Sequence, residues 1–103
     1  MGPSKTANTA ERDWMARITE YGCIACRQDG HETPAEVHHI VQGNRRLGHL
    51  FSLPLCPEHH RGDGRLVPSV HMRKRPFVAR YGAELELLAR LKVELGIYDE
   101  VRA

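Results

Sequence analysis

The stretch Pro54-Leu55-Cys56-Pro57-Glu58-His59-His60-Arg61-Gly62 joins a strand end, a helix start and half of a metal site. Read backwards from Cys56, residues 50–55 (LFSLPL) form a short apolar run with the length of a buried strand. Read forwards, Pro57 suits a first helical position, because its missing N–H is one of the donors left unbonded there anyway. Cys56-x2-His59 is one metal knuckle, and Cys23-x2-Cys26, thirty positions upstream, is the other. Together they supply the four soft or borderline donors of a closed tetrahedral zinc site. Three cysteines cannot all pair as disulfides within one chain. A structural Zn2+ is therefore expected on Cys23, Cys26, Cys56 and His59, tying the N-terminal helix to the end of the second strand. The chain has reason to need it: 103 residues with 6% aromatics build only a modest core.

The flanking segments fit a small α+β domain. Residues 35–42 (AEVHHIVQ) carry the β-branched content of a first strand, and Gly43-Asn44 opens a basic loop between it and the second. Upstream, Asn8 and Glu11 have the form of a capping box, and Trp14, Ile18 and Tyr21 recur at helical spacing, so a helix is predicted over 9–21 with Gly22 as its stop. A polar loop with Gly30 and Pro34 follows the first knuckle. Downstream, Gly62-Asp63-Gly64 loosens the chain, and Pro76 begins a short helix that ends at Gly82. Leu85, Leu88, Leu91 and Leu95 mark the apolar face of a last helix, stopped at Gly96. Residues 1–8 read as a flexible lead and 9–103 as one domain. There is no internal repeat.

Composition is that of an ordinary globular chain, 41% apolar and 27% charged, with no apolar run near the ~18–20 residues of a membrane span. The lead lacks the apolar core of a secretory signal, so a soluble, cytoplasmic protein is expected. Net charge is only +2, yet residues 41–81 hold Arg45, Arg46, Arg61, Arg65, Arg73, Lys74, Arg75 and Arg80 against Glu58 and Asp63. A basic middle between acidic ends suits a polyanion partner. Six of the seven histidines fall between positions 38 and 71. His38 and His39 are neighbours on a predicted strand, so they face opposite ways. His60 likewise points away from the knuckle residue His59.

A strand with Glu36-Val37-His38-His39-Ile40, then His49, then a strand running into the quoted stretch resembles the HNH, or ββα-metal, endonucleases. It is most similar to the recombination-enhancement nucleases of phage within that group. His71, Phe77 and Arg80-Tyr81-Gly82 with Glu84-Leu85-Glu86-Leu87-Leu88 add to the likeness, which spans about residues 9–95. The resemblance implies a zinc-stapled ββα-metal domain that hydrolyses DNA phosphodiesters with a divalent metal, in a bacterial or phage-infected cell and linked to a recombinase filament. Many HNH enzymes have Asp where this chain has His38, and their central Asn is absent, with His49 nearest in sequence.

On that resemblance, His38 and His60 hold the catalytic metal and His71 is a third ligand or a leaving-group contact. His39 is the general base, a neutral imidazole near pH 7 being able to accept a proton, and His49 orients the loop or the base. Mg2+ is the expected ion, with Mn2+, Ni2+ and Zn2+ the alternatives an all-imidazole set accepts. Arg61 and Arg65 are expected on phosphates, with Arg45, Arg46, Arg73, Lys74 and Arg75 on the same DNA face. The competing class is a non-catalytic, zinc-framed module that only binds nucleic acid.

Overall fold

The computed structural model describes residues 6–62 and 67–97. Helix α1 spans Thr9–Tyr21 and starts as the sequence predicts. The Glu11 N–H donates to Asn8 Oδ1 at 2.8 Å, and the Asn8 N–H donates back to Glu11 Oε1 at 2.9 Å. Gly22 closes it at φ +93°, where an added Cβ would meet the Thr33 carbonyl at 3.0 Å. The first knuckle then opens α2 (Ile24–Gln28), with Cys23 as N-cap; the sequence alone suggests no helix here.

Strands β1 (Glu36–His39) and β4 (Ser52–Leu55) pair antiparallel, with Glu36 opposite Leu55 and His39 opposite Ser52. The predicted first strand is broken at Ile40. Beyond it, β2 (Val41–Gln42) pairs with β3 (Arg45–Arg46) as a separate hairpin. The expected basic loop is thus partly a strand. Gly43 and Asn44 both sit at positive φ, +58° and +64°, the two-residue geometry whose twist matches a tight hairpin. The hairpin lifts Arg45 and Arg46 into solvent.

The second knuckle continues into α3 (Pro57–His60), a single turn with Pro57 at its start. Helix α4 covers Lys74–Tyr81, two residues earlier than predicted, because Pro76 is tolerated throughout a first turn whose N–H groups have no partner. Helix α5 covers Glu84–Glu94. Its buried stripe is Glu84, Leu87, Leu88 and Leu91; Leu85, expected on that face, is instead exposed. No helix of the described residues is long and apolar enough to cross a membrane.

The core forms around β4, all four of whose residues are buried, packed on α1, α2 and α5. Ile18, Ile24, Phe77, Leu87 and Leu91 are each at most 2% exposed. Burying such a side chain stabilises by about 1.5–3 kcal/mol, set against ~1–2 kcal/mol of backbone entropy for every residue ordered. One polar contact pins α1 to the sheet. Ser52 Oγ accepts from Trp14 Nε1 at 3.0 Å and donates to the His49 carbonyl at 2.8 Å. Ser52→Ala would remove the acceptor of the half-buried Trp14 N–H, so a loss of about 1–3 kcal/mol is expected in denaturant unfolding followed by Trp14 fluorescence. A loss no larger than the ~0.5 kcal/mol of a neutral surface change would show that the pair is immaterial.

Candidate metal centres and the histidine cluster

The two knuckles meet. Cys26 Sγ and Cys56 Sγ are 3.8 Å apart, and His59 Nδ1 lies 3.2, 3.5 and 3.7 Å from the sulfurs of Cys56, Cys26 and Cys23. A tetrahedral zinc site with Zn–S near 2.3 Å and Zn–N near 2.0–2.1 Å has edges of about 3.8 Å for S···S and about 3.5 Å for S···N. The observed spacings match those edges. All three cysteines are buried and free of disulfides. Burial pushes each thiol up, so the cluster favours thiolates only when a cation sits among them. The donor set fits a structural metal.

The outer face of His59 is equally built. Its Nε2 is 3.1 Å from the Tyr81 hydroxyl, which donates to Asp29 Oδ2 at 2.7 Å, so the imidazole N–H is the donor towards Tyr81. Arg80 holds the other Asp29 oxygen at 2.8 Å. The hydrogen bond from Tyr81, reinforced by Arg80, keeps the Asp29 carboxyl below its usual range. Burial and Asp29 push Tyr81 up to about 12, so it stays a proton donor. This chain leaves Nδ1 as the nitrogen aimed at the sulfurs.

His60, one residue on, turns away from the cysteines and joins His38 and His71. The three ring centroids are 4.8–5.3 Å apart, and the ligand atoms lie within 4.8 Å of one another. Strand alternation brings His38 to the face that also carries Glu36. His71 arrives by backbone pairing: Val70 N–H donates to the His59 carbonyl at 2.9 Å and His71 N–H to that of His60 at 3.1 Å. The segment before α4 is thereby clipped to the turn that supplies both centres. His38 is buried, His60 half-buried and His71 exposed, so the cluster opens towards solvent on the His71 side. Burial lowers the pKa of His60 and of His71, which favours free imidazole lone pairs.

Two carboxylates back this cluster. His38 Nε2 is 2.7 Å from Glu84 Oε1, and Lys74 Nζ is 2.8 Å from Glu84 Oε2. His60 Nδ1 is 2.6 Å from Glu36 Oε2, while Arg61 grips both Glu36 oxygens at 2.7 and 3.0 Å. Burial alone would raise either carboxyl, but bonds from His38 and Lys74 hold Glu84 low, and bonds from Arg61 and His60 do the same for Glu36. Neither Glu has a role in the reading of the sequence alone. Glu36, two positions before His38 on a strand, has the right period; Glu84, a charge three and four positions before buried leucines, is the other signal.

His39 is not in this cluster. Its Nε2 meets His49 Nδ1 at 3.0 Å, with ring centroids 5.0 Å apart. Burial, then the charge of Arg46 and the proximity of His49, lower its pKa. The basic residues divide. Arg45, Arg46 and Arg75 are exposed, Arg61 and Lys74 are committed to Glu36 and Glu84, and Arg73 is half-buried ahead of α4 with an Nε that has no partner. Arg65 lies outside the described residues.

The pattern of a family described as recombination-enhancement, RecA-dependent nucleases matches residues 6–95. No curated protein matches the chain significantly.

Proposed function

The chain belongs to the recombination-enhancement, RecA-dependent nuclease family, and from that premise we propose that it is an HNH-type, metal-dependent DNA endonuclease. The observation that carries the reading is the convergence of His38, His60 and His71 beside the Cys3His cluster, with a fourth imidazole, His39, on the opposite face of β1. The order β1, β4, α3, two paired strands running into a helical turn, supports that reading.

In this reading Cys23, Cys26, Cys56 and His59 hold a structural zinc. His38, through Nδ1, and His60, through Nε2, hold a divalent ion, with His71 as the third and most exposed ligand. Imidazole nitrogens suit Mn2+, Ni2+ or Zn2+ better than Mg2+, which prefers oxygen donors. Bound there, the ion supplies charge relief at the phosphate and at the leaving oxygen. His39 accepts the proton of the attacking water, and His49 fixes which nitrogen of His39 is free to do so. Arg45, Arg46 and Arg75 hold the sugar–phosphate backbone, where contacts orient the strand without reading bases. The substrate is DNA, and the partner a recombinase filament on it.

A plasmid-cleavage assay tests this directly. The zinc-loaded protein is expected to cut DNA when Mn2+, Ni2+ or Mg2+ is added, and more so on recombinase-coated strands. DNA binding with no cleavage under any metal, coated or bare, would leave the non-catalytic module instead. Replacing both Arg45 and Arg46 by Ala should weaken binding evenly across sequences and lower the salt slope by about one for each phosphate no longer neutralised. Fluorescence anisotropy over a salt series measures it, and an effect confined to one sequence would contradict a backbone role.

A further inference from the structure

The backing of the histidine cluster has a pattern of its own. His38 spends Nε2 on Glu84 and leaves Nδ1; His60 spends Nδ1 on Glu36 and leaves Nε2. The free nitrogen is thus chosen oppositely at two positions, each time by a carboxylate from another element. Each carboxylate is in turn gripped by a cation, Lys74 for Glu84 and Arg61 for Glu36. Glu84 and His38 are both under 10% exposed, so water cannot substitute for their bond. A buried Glu on α5 spends desolvation energy that a leucine in the same stripe would not, and its bonds to His38 and Lys74 are what offset that cost.

We propose that Glu36 and Glu84 are positioning residues for a divalent transition-metal ion, fixing the tautomer and orientation of His60 and His38, and that Arg61 and Lys74 serve those carboxylates before they serve DNA. The proposal rests on the reading of His38, His60 and His71 as a metal site. A metal-bound imidazole whose second nitrogen donates to a carboxylate is a stronger and better-aimed ligand, and removing such a partner costs roughly 10–100-fold in metal affinity.

The experiment fills the Cys3His cluster with zinc, then titrates Co2+ and follows its visible spectrum and calorimetric affinity. Glu36→Gln and Glu84→Gln keep shape but remove the charge. Each is expected to weaken Co2+ binding by roughly 10–100-fold and to alter the ligand-field bands, with the melting temperature of the cobalt-free, zinc-loaded protein near wild type. His60→Ala, a deleted ligand, serves as reference. If His60→Ala loses Co2+ while both Gln variants bind it with wild-type affinity and spectrum, the positioning role is overturned and the metal site stands. If His60→Ala binds Co2+ as the wild type does, the metal-site reading falls and this proposal with it. Should Glu84→Gln fail to fold, Glu36→Gln decides alone, its side chain being one-third exposed.

Discussion

Cys26→Ala protein is expected to lose its zinc and its cooperative melt together. Apparent binding free energies for structural zinc run to about 10–16 kcal/mol, whereas a whole domain is stable by about 5–15 kcal/mol. With an ion of that worth in the proposed site, the zinc-free chain is expected to have no stable folded state. The cluster joins α2, just after α1, to the end of β4 and to α3, and no disulfide duplicates those joins. The consequence reaches the second centre. His59 and His60 share one turn, and the segment carrying His71 is clipped to the carbonyls of both. Chelating the zinc should therefore scatter His38, His60 and His71 and abolish binding of the second metal. Circular dichroism melts with and without chelator, alongside zinc released to a chromophore, measure both effects. A zinc-free protein that still melts cooperatively and ignores chelators would show that the cysteines are ordinary core thiols.

Much of this is legible in the chain because the decisive signals are local. The x2 spacing of each knuckle, the Asn8–Glu11 cap and the Gly22 stop each act within one turn of backbone. So does the opposition of His38 and His39, which strand alternation enforces. The parts that are not legible depend on tertiary placement. Gly43-Asn44 adopts the paired positive φ of a tight hairpin, which converts part of an apparent loop into β3. Leu85, expected on the apolar face, is exposed, while Glu84 turns inward to His38 and Lys74. Arg61 and Lys74 look like free cations in a basic stretch, and only the fold shows the carboxylates that hold them. No sequence period relates Glu36 to Arg61 or Lys74 to Glu84 across separate elements.

His39→Ala is expected to lower the rate of DNA cleavage by about 10²–10⁴-fold while leaving metal occupancy and DNA affinity near wild type. A general base acts only as the proton moves, so its removal raises the barrier by about 3–5.5 kcal/mol without touching ground-state binding. The geometry separates this residue from its neighbour: His39 is hydrogen-bonded to His49, whereas His38 is bonded to Glu84 and faces His60 and His71. His38→Ala and His60→Ala should instead lose the second metal, and cleavage only as a result. High metal concentration should restore part of their rate and none of that missing in His39→Ala. His49→Ala should fall between, since His39 remains but the bond that orients its ring is released. The zinc-loaded variants need matched melting curves first, because His39 lies opposite Ser52, which also anchors Trp14. Metal titration beside a nicking assay then assigns the roles. If His39→Ala loses the metal and His38→Ala keeps it, base and ligand are exchanged; if His38→Ala, His39→Ala and His60→Ala all cut at the wild-type rate, these histidines do not cleave DNA.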